Sequence, residues 1–83
     1  LQPIYPNPAV GTAHAVIELP ESAHVSIVLV NSAGQIVRKL ADSTLPAGQR
    51  TLSIDVGDLA PGLYFVVLDS VGKRLTAPLT VIR

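Results

Sequence analysis

The chain has 83 residues, with six Lys and Arg against six Asp and Glu, so its formal net charge at pH 7 is zero. Hydrophobic residues make up 48% and charged residues 14%, against about 25% charged in an average globular domain. This balance excludes a disordered, highly charged segment and the basic footprint of a nucleic-acid binder, and the lack of cysteine excludes a disulfide framework or a thiolate metal centre.

The length fits one domain, residues 1–83. No apolar run approaches the ~18 residues of a membrane span. The start, Leu1-Gln2-Pro3, has neither Met nor a basic stretch, so no signal peptide is expected, and the chain reads as a piece cut from a longer protein.

In chain order, Tyr5-Pro6-Asn7-Pro8 comes first. Two prolines remove ladder donors, so this stretch fits an extended edge segment or a lead-in loop, never a central strand. Residues 13–19 alternate, with Ala13, Ala15, Ile17 and Leu19 on one face. Pro20-Glu21-Ser22-Ala23 links them to residues 24–30, where Val25, Ile27 and Leu29 share a face. Asn31-Ser32-Ala33-Gly34 reads as a hairpin loop in which Gly supplies a positive φ. Residues 35–40 read as a strand whose facing the pattern leaves open. Leu45-Pro46-Ala47-Gly48 is a second turn, and Leu52, Ile54 and Val56 then alternate with Ser53 and Asp55.

The next connection, residues 57–62, ends in Pro61-Gly62, suited to the centre of a type II turn. Residues 63–68 are apolar on both faces, which predicts a central strand whose second face is covered by this domain or by a partner. Asp69-Ser70-Val71-Gly72 closes a hairpin, and Leu75, Ala77, Leu79 and Val81 form the apolar face of a last strand. Pro78 predicts that this strand lies at an edge or carries a bulge. Turns every 8–12 residues are the mark of an all-β sandwich or barrel. The expectation is an immunoglobulin-like antiparallel β-sandwich of about six to seven strands, seven if residues 1–5 pair.

Candidate chemistry is sparse. His14 and His24 lack the spaced third ligand that a metal site needs. Ser26, His14 and Asp55 form a triad only on paper, without any nucleophile context. Asp55-Val56-Gly57-Asp58 lacks the further oxygens of a calcium loop, and Asp58 is expected to hold its turn through an Asx-type bond. Arg38-Lys39 and Lys73-Arg74 place one side chain on each face and so dilute any basic patch. Tyr5, Tyr64 and Phe65 do not make a sugar-stacking row. No catalytic, cofactor or metal residue is assigned, and the chain is read as no enzyme.

The order of the punctuation says more. Tyr5-Pro6-Asn7-Pro8, Asn31-x-x-Gly34, Leu45-Pro46-Ala47-Gly48 and Leu59-Ala60-Pro61-Gly62-Leu63-Tyr64-Phe65-Val66 precede a Gly72 hairpin and a last strand. Together they resemble the C-terminal sorting domain, of type A, of cargo proteins of the type IX (Por) secretion system of Gram-negative bacteria. The resemblance implies an immunoglobulin-like sandwich fused behind a passenger and exported by way of the periplasm to the cell surface or medium. It implies two partners: the outer-membrane translocon, which recognises the folded domain, and a sortase-like surface protease that in many cargoes removes it and attaches the passenger to the surface. No cofactor is implied.

Within that pattern Tyr5, Pro6, Asn7, Pro8, Gly34, Gly48, Leu59, Pro61, Gly62, Tyr64 and Phe65 are expected to define the fold. Recognition is expected at Lys73, Arg74, Leu79, Val81 and Arg83. The second reading is a structural or accessory immunoglobulin-like module of an extracellular enzyme, a spacer or weak carbohydrate binder. The apolar excess at Val28, Val30, Val66 and Leu68 is expected to form a docking surface, and a dimer through an apolar sheet face or an edge strand belongs to the same expectation.

Overall fold

The computed structural model describes residues 1–82, and these contain six strands and no helix. They are β1 (Thr12–Leu19), β2 (Ala23–Asn31), β3 (Ile36–Leu45), β4 (Gly48–Asp55), β5 (Gly62–Ser70) and β6 (Lys73–Val81). Sheet A pairs β1 with β4, and sheet B has the order β3-β2-β5-β6, every named pair antiparallel. The chain changes sheet at residues 20–22, 46–47 and 56–61, so the two sheets face each other as a sandwich.

Alternation sets the core. Ala13, Ala15, Ile17 and Leu19 of β1 are buried against Val25, Ile27 and Leu29 of β2, Val66 and Leu68 of β5, and Leu79 and Val81 of β6. Ile54 and Val56 extend this cluster, and no polar or charged residue is buried among the described residues. Stability therefore rests on aliphatic burial, about 25 cal/mol per Å² of apolar area removed from water.

The Asn31 loop is built as its sequence predicts. Gly34 has a φ of +83°, and its N–H donates to the Asn31 carbonyl at 3.0 Å. The Asn31 side chain accepts from the N–H groups of Ala33 and Gln35, each at 3.0 Å. The facing of β3, left open by the pattern, is broken by two register shifts against β2, at Ile27/Val28 and Leu29/Val30. Each inserted residue flips the side chains that follow it, which is why a period-two reading fails there.

Three expectations are corrected. Gly62 has a φ of +154°, far from the roughly +80° of the third residue of a type II turn. The turn lies earlier, closed by the Leu59 N–H donating to the Val56 carbonyl at 3.1 Å. The Asx-type bond belongs to Asp55, whose carboxylate accepts from the Gly57 N–H at 3.1 Å, and Asp58 instead pairs with Arg38. Val66 and Leu68 are buried. The apolar residues of β5 that face outward are Leu63, Phe65 and Val67.

Candidate functional site

Residues 1–9 are the first device that the fold builds outside the six strands, and Ile4 and Ala9 anchor it in the core. The Tyr5 N–H donates to the His14 carbonyl at 3.1 Å, and the His14 N–H donates back at 2.7 Å. The Tyr5 ring lies against the His14 imidazole, centroids 5.3 Å apart. Four residues on, the Ala9 N–H donates to the Thr80 carbonyl at 2.8 Å, and the Ile82 N–H donates to the Ala9 carbonyl at 3.0 Å. Between these anchors the Asn7 amide reaches the same edge: its Nδ2 donates to the Pro78 carbonyl at 3.2 Å, and its Oδ1 accepts from the Thr80 N–H at 2.9 Å. Tyr5-Pro6-Asn7-Pro8 therefore staples sheet A to sheet B, with Pro6, Asn7 and Pro8 exposed on the bend.

The opposite side of the sandwich is closed by Arg38 of β3. Its guanidinium donates to both carboxylate oxygens of Asp58, at 2.9 and 2.8 Å, and to the Asp55 carbonyl. The bidentate hydrogen bond from Arg38 holds the Asp58 carboxyl below its ordinary range, and the same bond raises Arg38. Nothing in the spacing of residues 38 and 58 signals this contact, because only the sheet crossing brings them together.

The corner before β5 is held by Tyr64. Its ring is buried, and its hydroxyl donates to the Ala60 carbonyl at 2.6 Å. A tyrosine near the start of this strand, bonded back a few residues upstream, is the tyrosine corner of immunoglobulin-like sandwiches. Leu59 packs on the core from the same turn, Pro61 and Gly62 are exposed beside it, and Gly48 opens β4 opposite Leu19.

The expected recognition residues separate. Leu79 and Val81 are 0% and 1% exposed, so their side chains belong to the core. Lys73 and Arg74 are exposed at the start of β6. Arg74 is engaged by Asp69, with Nε–Oδ1 at 2.8 Å, and this hydrogen bond raises its pKa. Arg83 lies outside the described residues. Phe65 faces outward between Val30 and Pro78, its cross-strand partners. With Ile36, opposite Val30, they make one apolar row across all four strands, and Val28 and Val67 make part of the next.

Among the described residues His14 and Ser26 are not brought together. His14 faces out from sheet A, with Ser53 Oγ at 3.4 Å from its Nδ1, while Ser26 pairs with Asp42 and Asp69 on sheet B. His24 Nε2 lies 2.8 Å from Asp42 Oδ1. Among the described residues no group of three His, Cys, Asp or Glu is placed to hold a metal ion.

The family model described as the secretion system C-terminal sorting domain matches residues 3–82. The chain belongs to that family. A comparison with curated proteins finds no match. As a C-terminal sorting domain it is a signal for type IX secretion, directing its protein by way of the periplasm and outer membrane to the surface or medium, and its partner is the type IX machinery. The family is not catalytic. Of the motif residues expected to define the fold, Tyr5, Asn7 and Tyr64 make the staple and the corner of this sorting domain.

Proposed function

We propose that this sorting domain acts as a folded label: it sits behind a passenger, is read by the translocon as a completed sandwich, and is removed by a sortase-like surface protease once export is done. The observation that carries the reading is the family match over residues 3–82, which takes in every strand of the sandwich. Recognition by shape fits a domain with zero net charge and no buried polar group among its described residues.

The unit read is one chain. The outward apolar rows of sheet B cover roughly 15 Å by 10 Å at ordinary strand spacing, well under the ~800 Å² per partner of a stable interface. Sedimentation of the purified domain at micromolar concentration is expected to give a monomer.

The test is a fluorescent reporter sent to the periplasm and ending in residues 1–83, expressed in a host competent for type IX secretion. Reporter at the surface or in the medium is expected. Periplasmic retention, with a known cargo exported normally in the same cells, would sink the reading. Persistence of the full-length fusion at the surface would remove the protease step alone.

A further inference from the structure

The edge of β6 is closed along one half and open along the other. Its register with β5 is regular from Gly62↔Val81 to Ser70↔Lys73. Backbone groups of Thr80 and Ile82 point away from β5, where Asn7 and Ala9 take them. By the same alternation the N–H and C=O groups of Arg74 and Thr76 point away from β5 too, and no strand of the described residues pairs with that side. The open stretch is bounded at one end by the Val71-Gly72 turn. At the other stands Pro78, which has no N–H to offer and whose carbonyl Asn7 already holds.

A cleft of about 290 Å³ opens between the sheets beside this stretch, lined by Leu1, Leu19, Pro20, Leu68, Lys73 and Leu75. Leu75 lies on the core-facing side of β6, yet it is 45% exposed, because the cleft opens over it. Val71, at the tip of the hairpin, is 83% exposed.

We propose that the secretion machinery holds this domain by adding an extended segment of its own to residues 73–77 of β6, with an apolar side chain seated in the cleft against Leu75. The inference rests on the sorting function. Strand addition at a sheet edge draws affinity from main-chain hydrogen bonds and specificity from pockets for alternate side chains. Both halves of that requirement are present at one place. The edge offers outward groups of Arg74 and Thr76, enough for a segment of about four or five residues. A second copy fits worse: two β6 edges would share only these residues, far less than a stable dimer buries.

The proposal is tested in the passenger-bearing chain in a competent host. Thr76→Pro deletes one outward N–H and no ladder bond within the sheet. Leu75→Ser removes the apolar floor of the cleft, and Ile36→Ser trims the far edge strand as a control. Thr76→Pro is expected to cut the exported fraction roughly three- to tenfold, as loss of one well-made hydrogen bond does. Leu75→Ser is expected to cut it at least about threefold. Both should keep parental protease resistance in the periplasm, and Ile36→Ser should export like the parent.

Parental export by both folded variants overturns the proposal, and so does an equal loss in Ile36→Ser. If Thr76→Pro does not fold, Leu75→Ser alone decides. Failure of the parent itself to be exported counts against the sorting function instead. Amide exchange on the purified passenger-bearing chain gives a second reading. The Thr76 N–H should exchange fast beside slow Leu75 and Ala77, whereas a slow Thr76 N–H, at any concentration, means that the chain or a second copy fills the edge and overturns the proposal.

Discussion

Val71 is the residue whose local chemistry is least suited to its place. The two-residue turn Val71-Gly72 has φ of +48° and +76°, both positive, as a type I′ hairpin requires. Glycine tolerates this at position 72; a β-branched residue at position 71 does not. Val71→Asn is therefore expected to stabilise the domain by about 1 kcal/mol. In a chain of this size that raises Tm by about 4–8 °C, which calorimetry would resolve; an unchanged or lower Tm would show that the turn is relaxed with valine. Tyr64→Phe acts in the other direction. It keeps the buried ring and loses only the bond to the Ala60 carbonyl, for a cost of about 1 kcal/mol. A melting point within 1 °C of the parent would mean that the corner is held by packing of the ring alone.

At the scale of elements, the two sheets are tied on both flanks by contacts of different kinds. One flank uses backbone and amide bonds from residues 5–9, which do not titrate. The other uses the Arg38–Asp58 ion pair, which does. Asp58 has its folded pKa depressed by the hydrogen bond from Arg38. Its contribution to stability is therefore full above the unfolded value of about 4 and is lost as pH falls through the folded value. Thermal melts of the parent and Asp58→Asn are expected to differ at pH 6 and to converge toward pH 2. A gap that stays constant with pH would show that the carboxylate of Asp58 does not carry the flank.

Across the whole molecule, the sandwich was legible in the sequence because the apolar residues of β1, β2, β4 and β6 alternate and the turns between strands carry glycine, proline or asparagine. Pro78 gave the edge position of β6, and the two-sided apolar run gave the central position of β5. The facing of β3 was not legible, since its register shifts leave no single-sequence signal. The tie made by Arg38 was not legible either, since its partners lie 17 and 20 residues away. At the candidate site, the motif residues were legible as a pattern and their work was not. That Asn7 serves as a side-chain substitute for a strand on the β6 edge depends on a contact 73 residues away. The resemblance points to recognition at Leu79 and Val81 in the last strand, and the same alternation that makes them one strand face buries them.

The staple formed by residues 1–9 also fixes how the domain takes mechanical load. A pull applied at Leu1 meets the Gln2–Val16 and Tyr5–His14 backbone bonds first, both on sheet A. Only when these have parted does tension reach Asn7 and Ala9, and through them the far half of β6. A tug on the leading end of the chain lifts Leu1 from its place beside Lys73 and Leu75 and is then spent on β1 before it can part the Asn7 and Ala9 bonds, so the far half of β6 is the last stretch of that strand to feel the load.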